Sequence, residues 1–160
     1  MARFAEGTSV SVEKSRAEIE KLITRYGAQS TAFMNAPGRA LIVFEAKERR
    51  IMFELPLPDK AEKRFTHGKV GRSSYVQARK PEAATAAWEQ ACRQSWRALA
   101  LVIKAKLEAV EAGITSFEDE FMAHIVMPDG QTVATHIKPR IAEAYAGGEM
   151  RALLPPPRPH

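Results

Sequence analysis

Apolar positions recur at helical spacing at two places in this chain and at strand spacing between them. Val12, Ile19, Leu22, Ile23 and Tyr26 fall on one helical face, with Glu13, Lys14, Arg16, Glu20 and Lys21 elsewhere, which predicts an amphipathic first helix. Ser11 is placed to cap its start and Gly27 to supply a left-handed stop. After Gly27 the period shortens. Thr31–Met34 and Arg39–Phe44 are β-branched, aromatic or aliphatic, and Pro37-Gly38 between them marks a turn. A hairpin is expected, followed after the charged stretch Glu45–Arg49 by a third antiparallel strand, Arg50–Leu55. Pro56 and Pro58 end that strand, because neither can donate to a sheet ladder.

The helical period returns at Pro81, a residue suited to a first helical position, and no further Pro or Gly intervenes before Gly113. Trp88, Cys92, Trp96, Leu99, Ile103, Leu107 and Val110 make its apolar stripe, so about 30 residues form one helix roughly 45 Å long. Such a rod outruns a three-stranded sheet, and one end must pack on the C-terminal segments or on a second chain. Thr115 and Glu118 have capping-box spacing, which predicts a short helix to about Ala123. His124–Met127 is expected to be extended, with a turn at Pro128-Asp129-Gly130 and a final helix over Pro139–Ala146. The fold class is α+β: a three-stranded antiparallel sheet flanked by an N-terminal helix and one long amphipathic helix, with a small helical C-terminal extension. Residues 1–10 are expected as a flexible arm, 11–150 as a single domain and 151–160 as a Pro-rich tail of polyproline type. There is no internal repeat.

Length and composition agree with one ordinary folded domain: 160 residues, 45% hydrophobic and 27% charged. The longest apolar run, Ala98–Ile103, is far too short to span a bilayer, and Met1–Ser9 carries no hydrophobic signal segment, so no membrane is expected as a partner. Cys92 is the single cysteine and falls on the apolar stripe between two tryptophans, which makes it a small core residue rather than a reactive thiol.

Charge changes the picture more. Between Asp59 and Lys80 stand Lys60, Lys63, Arg64, Lys69, Arg72, Arg79 and Lys80 against Asp59 and Glu62, an excess that equals the whole chain's formal net charge of +5. At this length a connection inside a compact domain is usually functional or disordered, although a short strand around Ser74–Gln77 is expected within it. The cations alternate with Phe65, His67 and Tyr75, a mixture that serves phosphates and bases of a single strand. The candidate nucleic-acid-binding set is therefore Lys60, Lys63, Arg64, Phe65, Lys69, Arg72, Tyr75, Arg79 and Lys80. The helix starting at Pro81 adds unpaired amides beside Arg79 and Lys80.

Other chemistry is sparse. No phosphate-loop, dinucleotide, zincin or nucleophile-elbow motif is present, and His67, His124, His136 and His160 are far apart in sequence. Glu118-Asp119-Glu120 resembles a divalent-cation cluster, but acidic residues at a helix start are explained by capping and by the helix dipole. Neither catalytic residues, metal nor cofactor are expected. Trp88 and Trp96 read as core, and Pro156-Pro157-Arg158-Pro159 as an exposed end.

Three strings, Val12–Glu20, Phe53–Asp59 and Ala87–Leu99, together with Phe117–Gly130, resemble small proteins of unassigned function encoded by tailed phages and prophages. That resemblance implies a bacterial cytoplasm and a part in phage DNA metabolism or host takeover, and it supplies no catalytic residue. The order helix, three antiparallel strands, helix is also similar to that of the double-stranded RNA-binding domain, although here the second helix is much longer and further elements follow. The functional expectation is a non-enzymatic accessory protein that binds DNA or RNA by phosphate contacts from the basic loop. The alternatives are a protein-binding modulator of a host defence or transcription complex, and a metal-dependent nuclease. A long amphipathic helix beside a free sheet edge also invites self-association.

Overall fold

The computed structural model describes residues 5–69, 71–72 and 74–148. The first helix, α1, spans Val12–Arg25; the Ser11 hydroxyl accepts from the Lys14 amide at 3.2 Å, and Gly27 turns the chain out at φ +89°. Three strands follow, β1 (Ser30–Ala36), β2 (Arg39–Ala46) and β3 (Arg49–Pro56), antiparallel in the order β1-β2-β3. Pro37-Gly38 makes the first turn. The second is a two-residue link between the paired Ala46 and Arg49, and Lys47 and Glu48 both take positive φ there, 51° and 60°. Beside it Arg50 donates to Glu45 at 2.7 Å, and this pairing holds the Glu45 carboxyl below its usual range.

After β3 come a four-residue helix, α2 (Lys63–Thr66), and two short strands, β4 (His67–Lys69) and β5 (Val76–Ala78). The long helix, α3, covers Pro81–Glu111, 31 residues. It packs against α1, α2, β3 and the next helix, α4 (Phe117–Phe121). Its far end is thus covered by the C-terminal segments. Arg97 meets Glu18 and the Tyr26 hydroxyl donates to Glu111, so α1 runs beside the second half of α3 in the same direction. The Glu111 carboxylate holds the Tyr26 proton in place and pushes its pKa up to about 12.

One core joins these layers: Ile19 and Ile23 of α1, Ile42, Phe44, Ile51 and Phe53 of the sheet, and Trp96, Leu99, Ile103 and Leu107 of α3. Phe121 closes it from α4, fully buried, with edge-on contacts to Phe44 at 6.1 Å and Phe53 at 6.2 Å. Burying one such ring contributes about 2–3 kcal/mol. Cys92 lies at the same face of α3, and burial pushes its thiol pKa up.

Four expectations are corrected. The cap of α4 is Ser116, whose hydroxyl accepts from the Asp119 amide at 3.1 Å and donates to the Asp119 carboxylate at 2.7 Å. That leaves Glu118 free to pair with Arg49, so the Thr115–Glu118 spacing is not the one used. The last helix, α5, spans Val133–Gly147 rather than starting at Pro139. Thr132 caps it, and Pro139 sits inside the helix. Residues 5–10 are not loose: Ala5 is buried, and Gln90 of α3 donates to the Thr8 carbonyl at 2.9 Å. The extended stretch after α4 is short. Met122–His124 form a 3₁₀ turn, and only Ile125 and Val126 bridge outward, to Ile51 and Thr132. The Pro-rich tail 151–160 lies outside the described residues.

Candidate nucleic-acid interface

Among its described residues the basic segment carries a four-residue helix and a pair of short antiparallel strands. It begins with an aspartate turn, in which the Asp59 carboxylate accepts from the Ala61 amide and the Glu62 carboxylate accepts from the Asp59 amide, both at 2.9 Å. This seats α2, and α2 drops Phe65 into the protein, where it is only 4% exposed. Strands β4 and β5 then pair antiparallel, His67 with Ala78, Gly68 with Gln77 and Lys69 with Val76. The Arg79 amide closes the ladder by donating to the Thr66 carbonyl at 2.7 Å. Lys80 and Pro81 lead straight into α3. The hairpin therefore stands on two anchors, Phe65 on one side and the start of α3 on the other.

Gly68 explains how the hairpin holds its charge. The Arg79 guanidinium lies across it, so a Cβ added at Gly68 would stand 2.5 Å from Arg79 Nε. From there Arg79 Nη1 donates to the carbonyls of Arg64 at 3.4 Å and Phe65 at 3.3 Å. A glycine inside a strand commonly marks such a close approach, and that was the available signal for this residue in the sequence.

The remaining candidates divide by what each touches. Arg64 pairs with Glu62 at 2.6 Å and covers the Phe65 ring at 4.5 Å. Lys60 lies 5.6 Å from the Trp88 ring centre, and the Trp88 indole donates to the Pro58 carbonyl at 2.8 Å. Lys63, Lys69, Arg72 and Lys80 are exposed, as is Tyr75 at 79%. Among the described residues, Arg64 is the one cation of the segment in an ion pair, and its partner belongs to the same segment. From Lys63 to Pro81 the sequence contains no acidic residue. Phe65 is the clear correction: it is a core anchor, not a ring offered to bases, because the four-residue helix turns it inward. Arg79 is likewise engaged within the hairpin, with its charge spread over two carbonyls.

The acidic cluster has other partners. Glu118 meets Arg49 at 3.3 Å, Asp119 meets Ser116, and Glu120 meets Lys106 at 3.0 Å. His124 is stacked on Phe53 at 4.0 Å, and His136 pairs with Asp129 at 2.8 Å. Among the described residues no three His, Cys, Asp or Glu side chains are grouped to hold a metal ion, and no helix is long and apolar enough to cross a membrane. Along the outer face of α3, beside Leu55 and Pro58, runs an open groove of about 1140 Å³ lined by Ala91, Ser95, Ala98, Val102 and Ala105. Comparison with protein-family models, curated proteins and solved structures finds no match.

Proposed function

We propose that this chain is a non-enzymatic accessory protein that binds nucleic acid through phosphate contacts from Lys60–Lys80. One observation carries the reading: an acid-free run of cations lies on α2, on an exposed pair of short strands and at the start of α3, with no carboxylate from elsewhere among the described residues in an ion pair with it. Cations gathered on one exposed segment attract phosphates, and release of condensed counterions supplies the driving force. The tailed-phage likeness of Val12–Glu20, Phe53–Asp59 and Ala87–Leu99 gives the proposal its setting, DNA metabolism or host takeover in a bacterial cytoplasm.

The test is binding of labelled single- and double-stranded DNA at several salt concentrations. With about five phosphates neutralised, log affinity falls against log salt with a slope of about −3.5 to −4.5. The Lys63, Arg64, Lys69, Arg72 to Ala variant loses most of both affinity and slope. A flat salt response overturns the reading.

A second reading, binding to a protein of a host complex, draws on the open groove along α3. It requires a partner that stays bound after nuclease treatment and is lost with Val102→Asp.

A further inference from the structure

The nature of the hairpin narrows the nucleic acid. We propose that β4 and β5 form a ribbon that enters the major groove of duplex DNA, an inference that rests on the nucleic-acid reading above. A single strand is held by flat rings on which successive bases stack. Here three of the rings are spent. Phe65 is 4% exposed and Trp96 3%, and the Trp88 indole is bound to the Pro58 carbonyl with Lys60 over its face. Tyr75 and the imidazole of His67 are the exposed rings of the segment's described residues, too few for a stacking track.

What the hairpin does offer fits a duplex. It is a two-stranded antiparallel ribbon, and the major groove, about 12 Å wide, admits such a ribbon. Apart from Gly68, its described residues from His67 to Ala78 are exposed, so little of the protein stands beside it to block entry. Strand alternation puts His67, Lys69, Val76 and Ala78 on one face and Gly68 and Gln77 on the other. Lys69 thus stands on the first face, where it can reach base edges or phosphates, while Arg72 lies in the connecting turn. Lys63 and Lys80 stand at the root, on α2 and at the start of α3, where the phosphate walls of a groove would pass. Both anchors are firm, through buried Phe65 and the bond from the Arg79 amide to Thr66.

The experiment compares a labelled duplex about two helical turns long with its single strand at equal salt, using the whole chain. Methyl green, a major-groove ligand, and netropsin, a minor-groove ligand, serve as competitors. The variants are Lys69→Glu/Arg72→Glu and the shape-keeping Lys69→Gln/Arg72→Gln, with Lys21→Glu on α1 as the charge control. Tighter binding of the duplex, displacement by methyl green alone, a loss of about tenfold or more in the ribbon variants and a salt slope reduced by about 2 are expected. Equal or tighter binding of the single strand, or displacement by netropsin, overturns the ribbon while leaving the nucleic-acid reading standing. Absence of salt-dependent binding to either form overturns that reading itself, and the ribbon with it.

Discussion

The guanidinium of Arg79 lies flat across Gly68, so a side chain at position 68 and the present place of Arg79 exclude each other. Gly68→Ala should therefore change sign with its background. In the native chain Arg79 must move and give up its bonds to the Arg64 and Phe65 carbonyls, each contributing about 0.5–1.5 kcal/mol, which offsets any gain from a stiffer backbone. With Arg79→Ala already in place, the same substitution should stabilise by about 0.4–1 kcal/mol. A double-mutant cycle by urea denaturation measures the difference, and additive effects would refute the contact.

Phe65 and Tyr75 were equivalent as exposed rings in sequence, and the fold separates them. Phe65→Ala should cost about 3 kcal/mol, the low end for a buried ring, since Phe65 lies beside rather than within the main cluster. Tyr75→Ala should stay within about 0.5 kcal/mol. Equal effects in thermal melts would contradict this assignment.

The turn Lys47-Glu48 holds two side-chain-bearing residues at positive φ. Such backbone costs roughly 1–2 kcal/mol per residue, and two-residue turns of this kind prefer Asn-Gly. Lys47→Asn/Glu48→Gly should stabilise by about 1–2 kcal/mol, read as a higher denaturation midpoint with an unchanged slope.

Ser15 is wholly buried where α1 faces α3, and its hydroxyl finds no hydrogen-bond partner among the described residues. Removing an unsatisfied buried hydroxyl recovers its desolvation cost, and alanine also favours the helix. Ser15→Ala should gain about 1 kcal/mol. Destabilisation on calorimetry would mean that the hydroxyl has a partner.

His124 gives the stability a pH dependence. Burial, with Lys106 and Lys138 nearby, holds its pKa below the ordinary histidine value, and a bond to the Met52 backbone opposes this only in part. Between the lowered folded value and the unfolded value of about 6.5, the unfolded chain binds more protons. Stability from this group is therefore present above about pH 6.5 and falls as the pH drops through that window. His124→Phe keeps a ring on Phe53 and should flatten the decline in melting temperature between neutral and mildly acid solution.

The scaffold was legible because its signals are local and repeated. Ile19 and Ile23, then Ile42 and Phe44, then Trp96, Leu99, Ile103 and Leu107 each recur at the period of their element, and Gly27 and Pro81 punctuate it. The cationic set was legible as composition. Its arrangement was not. A single ring between Lys63-Arg64 and Thr66-His67 has no period to declare which side it faces, and α2 turns it inward. Arg79 reaches Gly68 across the ladder, a relationship between residues that are not neighbours in sequence. Ser116 and Thr115 carry hydroxyls one residue apart, so spacing alone could not choose between two acidic partners. Pro139 misled because a proline seven positions into a helix looks, in sequence, like the start of one.

Helix α3 starts directly beneath the hairpin and ends against α4 without interruption by proline or glycine. A pull on β4 and β5 is thus borne by about 45 Å of unbroken helical bonding, clamped along its second half by Arg97–Glu18 and Tyr26–Glu111. A load on the hairpin is therefore shared between buried Phe65 and this strut, which carries its part to the sheet and α4.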